Sequence, residues 1–452
     1  MIWFSSSNYY QRYKVKILKV IHGYPMRYNA GSEVYSQTLC HKLANKHKLE
    51  VFTREENTFA PDYVMHCESD SINAQIKLNI INIPLEKHRY QYRITEVDQQ
   101  FEEILSIFKP DIVHIGHLNH LSASLITKIP STIPIIYTLH DYWLMCPRGQ
   151  FIQRSPENID DVWGLCDGQE DLKCAVRCYS GYFSGAEEEL SQDIDYWSHW
   201  TKRRMDYIKN ITTRVDYFIA PSQYLLERFK NDFAIPDKKL IYLDYGFDLE
   251  RFCKRKRTSN EPFTFGYIGT HIPAKGIQLL IEAFGKLKGS ALLRIWGRHR
   301  GEETNALKAI AKSLSPDVYG RIEWLSEYNN QQIVEDVFNK VDVIVVPSIW
   351  YENSPLVIHE ALQARIPVIT ANVGGMSEYV QHNVNGLLFK HRDVITLAEE
   401  MQCLLDNPEL AIRLGFWGYI QSDDGNIPCI NQHVSDIEKI YIQALKEKST
   451  AA

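Results

Sequence analysis

Two glutamates eight residues apart, Glu352 and Glu360, bracket a stretch whose residue types suit one kind of chemistry. Residues 341–380, VDVIVVPSIWYENSPLVIHEALQARIPVITANVGGMSEYV, read as a buried strand, a polar loop with Glu352, a helix with Glu360, a second strand and a Gly-Gly turn. In open α/β sheets, ligands bind just past the carboxyl ends of strands. Ser354 reads as the N-cap of the helix and Pro355 as its first residue. A helix that starts there turns free N–H groups and the positive end of its dipole towards an anion, typically a phosphate. The carboxylates repel a phosphate, so they are suited to accept hydrogen bonds from sugar hydroxyls. Phosphate plus sugar hydroxyls makes a nucleotide-sugar the expected ligand.

Other residues suit the same ligand. Lys275, just before Gly276 and a helix, puts an ammonium beside a loop where a diphosphate would lie. His140 follows a strand in the run TLHD and can donate to a sugar oxygen. Asp141 either orients that histidine or contacts the acceptor. His117 and His120 read equally as acceptor contacts and as structural residues. Gly31 suits close backbone approach and Ser32 an N-cap, with plain capping as the alternative. Cys146, Cys166, Cys174 and Cys178 are four thiols that a structural zinc ion would hold tetrahedrally. Their spacing lacks a Cys-x-x-Cys pair, so free buried thiols and disulfides stay open as readings.

These residues need elements to hold them. Short apolar runs alternate with helical patterns along nearly the whole chain, the mark of βαβ units and parallel sheets. The pattern predicts strands near 17–22, 49–53, 80–83, 112–115, 135–139 and 217–221 in the first half. In the second half it predicts strands near 263–268, 291–296, 322–325, 343–347, 368–371 and 386–389. Helices are expected near 32–46, 99–108, 224–229, 276–287, 303–314, 330–339, 355–364 and 394–405. The domains are then a leader 1–14, an N-terminal domain 15–241, a linker 242–262, a C-terminal domain 263–418 and a segment 419–452 whose helix packs back on the first domain. Residues 146–212 interrupt the rhythm as an acidic, aromatic, cysteine-bearing insertion. VDYFIAPSQYLLERF (215–229) echoes VDVIVVPSIWYENSP (341–355), as if each closed the sheet of its own domain.

Bulk properties exclude several classes. A net charge of −6 argues against general nucleic-acid binding. No apolar run reaches the roughly 18–20 residues that span a bilayer. The first residues, broken by lysines, make a poor signal peptide. Nine cysteines, an odd number in a long chain, argue against a secreted disulfide framework. The cytoplasm is the expected compartment. Residues 197–211 mix aromatic and basic side chains at helical spacing. They suit either a peripheral contact with a membrane surface or a solvated helix with a packed aromatic face.

Together these motifs resemble the retaining glycosyltransferase family 4, of the GT-B fold with two Rossmann-like domains facing across a cleft. The paired glutamates, GYIGTHIPAKGIQLLIEAF (266–284) and PVITANVGGMSEYVQHNVNGLLF (367–389) carry the resemblance in the second half. PDIVHIGHLNHLS (110–122) and IPIIYTLHDYWLMCPRGQ (134–150) carry it in the first. The resemblance implies that Lys275 faces the leaving diphosphate, Glu360 the donor ribose, Glu352 the donor sugar, and His140 the cleft. It implies that the backbone of Asn353, Ser354, Pro355, Leu356 and Val357 lies along the phosphate, and that the Gly31–Ser32 loop approaches donor and acceptor. Where the family commonly has an arginine after the strand's glycine, this chain has Gly269-Thr270-His271; Arg298 and His271 are the candidate replacements. The family often has glycines in the loop after Glu352, and ENSPL has none. Asp193-Ile194-Asp195 looks like the metal motif of other glycosyltransferases, but it follows no strand and is set aside.

The expected activity is transfer of a hexose from a UDP- or GDP-sugar to a hydroxyl of a glycan, lipid-linked or other acceptor, in surface polysaccharide or glycoconjugate synthesis. No catalytic cofactor is expected, and zinc, if bound, braces the insertion. The acceptor type would place the enzyme free in the cytoplasm or at the inner membrane face. A nucleotide-sugar epimerase on the same fold and a non-catalytic nucleotide-sugar sensor are the alternatives.

Overall fold

Strands buried on both faces need helices on both faces, and the chain supplies them. A computed structural model describes residues 14–88, 90–155, 164–181, 186–252, 255–257 and 262–451. Most of the expected leader therefore lies outside the described residues, as do parts of the linker and insertion.

The first sheet has eight strands: β1 (Lys16–Val20), β2 (Lys48–Glu55), β3 (Met65–Ser69), β4 (Lys77–Asn82), β5 (Ile112–Ile115), β6 (Ile135–Thr138), β7 (Tyr217–Ala220) and β8 (Leu240–Tyr242). Their order is β3-β4-β2-β1-β5-β6-β7-β8, and only β3 runs antiparallel to its neighbour. The second sheet holds β9 (Phe263–Ile268), β10 (Ala291–Trp296), β11 (Ile322–Leu325), β12 (Val343–Val346), β13 (Val368–Ala371) and β14 (Gly386–Phe389). It is wholly parallel, in the order β11-β10-β9-β12-β13-β14. Strand order reverses beside β1 in the first sheet and beside β9 in the second. Such switch points open a crevice at the carboxyl ends of the flanking strands.

Seven helices matter for the site: α1 (Gly31–Ala44), α2 (Thr95–Phe108), α3 (Leu190–Thr212), α4 (Gln223–Asn231), α5 (Ile277–Phe284), α6 (Leu356–Gln363) and α7 (Ile430–Ala451). α2 shows why they form: Val97, Phe101, Ile104, Leu105 and Phe108 fall on one face and are buried, under a sheet face that includes Leu18, Val20, Phe52 and Val113. α7 lies on the first domain, where Tyr441 Oη bonds buried His114 Nδ1 at 2.6 Å and Tyr35 Oη bonds His433 Nε2 at 2.9 Å.

Several expectations change. β3 and β8 were not expected. β3, MHCES, is an exposed edge of mixed polarity, and β8 is three residues long. The helix expected at 330–339 is two short 3₁₀ turns around one turn of α-helix. The two echoing segments do not close their sheets: β7 is next to the edge and β12 is internal. In the insertion, α3 buries Trp197, Met205, Ile208 and Ile211, so much of its apolar face is packed inwards. Asp193 and Asp195 lie on that helix. Among the described residues, no helix is long and apolar enough to cross a membrane.

Candidate functional site

The C-terminal wall is built at the β9–β12 switch point. The loop after β9 carries Lys275 and the loop after β12 carries Glu352. Gly276 lets them touch: it has φ 69°, and a Cβ there would lie 1.9 Å from Pro347 O. Lys275 Nζ donates to Glu352 Oε1 at 2.6 Å, and Ser348 Oγ donates to the same oxygen at 2.7 Å. The Gly-Gly turn packs behind the loop, with Gly375 N bonded to Glu352 O at 2.8 Å. A Cβ on Gly375 would meet Asn353 O at 1.5 Å.

The helix start is one residue later than expected. Pro355 is the N-cap of α6 and Leu356 its first residue, so Ser354 does not cap it. Ser354 Oγ instead donates to Asp244 Oδ1 at 3.3 Å, because this segment is tied to the crossing between the domains. The first N–H groups of a helix have no intrahelical partners, here those of Leu356 and Val357. Glu360 is buried, and burial raises its carboxyl above the usual range. Its Oε1 accepts from Arg251 Nη2 at 3.0 Å. Both glutamates of the opening pair thus hold a cation. Leu356, Glu360, Arg251, Gln331, Phe247 and Tyr35 help line a cavity between α1 and this wall.

On the facing wall, His140 ends the β6 segment. Its Nδ1 bonds Tyr245 Oη at 2.7 Å, and its buried Nε2 has no partner among the described residues. Burial, then the charges of Lys19 and His117, hold its pKa well below the usual value, so the ring is neutral. Asp141 orients His117 and not His140: Oδ2 stands 3.1 Å from His117 Nε2. His117 Nδ1 accepts from Asn119 N, so Nε2 carries the proton offered to Asp141. His120 adopts a left-handed backbone, φ 58°. Burial, with Arg54 and His117 nearby, lowers its pKa to about 4.

Gly31 opens α1 beside Leu356; a Cβ there would make an ordinary 3.6 Å contact with Leu356 Cδ1. Ser32 is not the N-cap. Ala30 holds that position, and Ser32 Oγ donates to Glu33 Oε2 at 2.7 Å. Arg298 Nε donates to Glu327 Oε1 at 2.8 Å and does not join Lys275 and Glu352. His271 is fully buried against Thr304, with a pKa lowered to about 4 by burial.

The walls touch. Asn353 Oδ1 accepts from Ser222 Oγ at 2.6 Å, and Asn353 Nδ2 reaches His140 O at 3.4 Å. Glu378 accepts from Gln223 N and Tyr224 N at the start of α4. Asn353's side chain is thus spent on the facing wall and not on the ligand.

The four cysteines are buried and none is joined in a disulfide. Burial raises the thiols of Cys166, Cys174 and Cys178. Among the described residues, no group of three or more His, Cys, Asp or Glu side chains is arranged as metal ligands.

Sequence reasoning missed Asp244, Tyr245 and Arg251, which stood in or beside the linker. The basic run there was visible, but its partner across the fold was not. It also missed Ser348, although the Pro-Ser echo marked it.

The chain matches the family described as Glycosyltransferase Family 4 over residues 30–251 and that described as Glycosyl transferases group 1 over residues 250–418. A glycogen synthase of Mycobacterium tuberculosis is 26% identical over 242 residues, which cover 52% of this chain and 53% of that protein. A GDP-mannose-dependent alpha-(1-6)-phosphatidylinositol monomannoside mannosyltransferase of the same species is 27% identical over 230 residues, 47% of this chain and 58% of that one. The chain thus spans little more than half the length of these curated relatives. Among solved structures, sucrose-phosphate synthase of Thermosynechococcus elongatus superposes with a TM-score of 0.69 at 17% identity, covering 96% of this chain and 100% of that one. Anabaena HepE, in complex with UDP and glucose, does so with a TM-score of 0.64 at 15% identity, covering 95% and 100%. These two likenesses show the fold.

Proposed function

Because the chain belongs to glycosyltransferase family 4 and has its two-domain GT-B fold, we propose that it is a retaining, metal-independent hexosyltransferase acting on a UDP- or GDP-sugar. The observation that carries this reading is the bond of Lys275 to Glu352 in the loop before α6, where the next residue, Asn353, reaches His140 O across the cleft. Lys275 and the α6 N–H groups stabilise the charge that grows on the leaving diphosphate, as preorganised electrostatics. Glu352 accepts from sugar hydroxyls and Glu360 from the ribose. Neutral His140 offers Nε2 to a sugar oxygen.

The bond from the anomeric carbon to the diphosphate oxygen breaks, and the bond to the acceptor oxygen forms on the same face. The acceptor's proton passes to the departing phosphate oxygen, which retains the anomeric configuration without a covalent enzyme intermediate. Domain contacts such as Asn353–Ser222 exclude water and so limit hydrolysis. Glycan or lipid-linked acceptors of surface polysaccharide synthesis fit this reading, with the reaction in the cytoplasm and at the inner membrane face when the acceptor is a lipid.

A thermal-stabilisation screen of UDP- and GDP-sugars tests the donor, since a ligand of the folded form raises Tm. NMR of the product's anomeric proton, with Lys275→Ala and Glu352→Ala in parallel, tests the chemistry. Inverted product, or full transfer by either variant, refutes the assignment.

A further inference from the structure

Arg54 is the last residue but one of β2, the strand that pairs with β1 on the side away from the switch point. It is 5% exposed. Among the described residues its one hydrogen bond runs from Nη1 to Tyr28 Oη at 3.0 Å, and that ring lies under the guanidinium at 4.8 Å. Nε is buried without a partner among the described residues. A buried cation of this kind is costly unless an anion meets it.

The charges of Glu56 and Glu33 act on Arg54, but among the described residues no carboxylate hydrogen-bonds it. Glu33 stands 3.4 Å from His22, and Asp141 is held by His117. Glu56 is exposed. Around Arg54 lie His22 and His120, whose protonation its charge opposes, and the His22 ring lies 4.4 Å from that of His117, tilted by 56°. His22 Nδ1 is also buried and unpartnered among the described residues. His120 holds a left-handed backbone, a conformation that costs energy and gathers at ligand sites. The cluster adjoins His140 and Glu33, and so belongs to the wall that faces the donor.

We propose that this wall binds an anionic oxygen group, phosphate or carboxylate, on Arg54 Nε with His22 and His120 around it. The acceptor hydroxyl then belongs to a negatively charged molecule. The inference rests on the transferase reading for the word acceptor; the anion site itself stands on Arg54.

The test is isothermal titration of the full chain, first saturated with the nucleoside diphosphate that stabilises it most, with glucose 6-phosphate and with glucose. Glucose 6-phosphate is expected to bind and glucose to bind far more weakly. Arg54→Gln should weaken glucose 6-phosphate by about tenfold or more, the loss of a charge-assisted hydrogen bond, and Arg54→Lys by less. Tm of each variant checks folding. If Arg54→Gln does not fold, His120→Asn, which tolerates the left-handed backbone, should weaken the phosphate ligand alone. Equal binding of the two sugars, or unchanged glucose 6-phosphate binding in a folded Arg54→Gln, overturns the proposal. Arg54-dependent phosphate binding in a chain that takes no nucleotide overturns the donor reading and leaves the anion site standing. Phosphatidylcholine vesicles with phosphatidic acid separate the sources: Arg54-dependent pelleting assigns the anion to a lipid, and glucose 6-phosphate binding without pelleting assigns it to a soluble acceptor.

Discussion

Tyr245 Oη stands 2.7 Å from His140 Nδ1, and this bond leaves Nε2 as the ring nitrogen without a partner among the described residues. The rings stack at 5.7 Å with 19° between their planes, so rotation is blocked from one side as well. The preceding residue, Asp244, ties down the other wall through His359, Tyr419 and Ser354. Two adjacent residues of the interdomain crossing therefore hold one group on each side of the cleft.

Tyr245→Phe keeps the ring and removes the anchor. His140 Nδ1 is then buried without a partner, and only the ring stack still restrains the imidazole. We expect kcat to fall about tenfold, near 1.4 kcal/mol, with donor KM little changed, because the donor's phosphate grip lies on the other wall. Steady-state kinetics read the split. A kcat equal to that of the wild type would remove His140 orientation from the account.

Asp244→Ala should act on stability first. The carboxylate accepts from His359 Nε2 at 2.9 Å, Tyr419 Oη at 2.7 Å and Ser354 Oγ at 3.3 Å, all buried. Removing it strands these donors and costs about 3 kcal/mol. Because His359 is on α6 and Ser354 just before it, donor affinity should fall as well. A urea unfolding midpoint that does not move would show the network to be dispensable.

The fold was largely legible, because twelve of the strands are short apolar runs between turn and helix signals, and all but β11 and β14 lie inside their sheets. β3 was not, since an edge strand with exposed Cys67, Glu68 and Ser69 shows little apolar pattern. Lys275, Glu352, Glu360 and His140 were legible as residue types at strand ends. What a linear reading could not supply was pairing at long separation. Arg251 meets Glu360 across 109 residues, and Tyr245 meets His140 across 105. Ser354 had the right type for a cap, yet a tertiary hydrogen bond to Asp244 overrode the local preference.

Acid should unfold the protein earlier than its carboxylates alone require. Burial lowers the pKa of His271 and of His433 from 6.5 to about 4. The unfolded chain takes up protons below 6.5 that the folded chain refuses. Stability is therefore full above that pH and declines as pH falls from 6.5 towards 4. Thermal melts across this range should show the decline, and His271→Gln with His433→Gln should flatten it. A slope that is the same in wild type and double variant would contradict the assignment.

Arg251→Gln tests the cation that sequence reasoning missed. Arg251 opposes the effect of burial on Glu360, whose carboxyl already sits above its usual range. Without Arg251 that pKa rises further, and more of Glu360 is protonated near neutral pH. A protonated carboxyl keeps one oxygen as an acceptor and presents a hydrogen to the other ribose hydroxyl, so the ribose grip weakens. Donor KM should rise about tenfold, near 1.4 kcal/mol, with a smaller change in kcat. The rise should grow as pH is lowered, since the variant's Glu360 takes up protons sooner than the wild type's. Donor KM measured against pH for both proteins reads this directly. A lowered KM would instead mean that Arg251 competes with the ribose for Glu360 and that the donor must displace it.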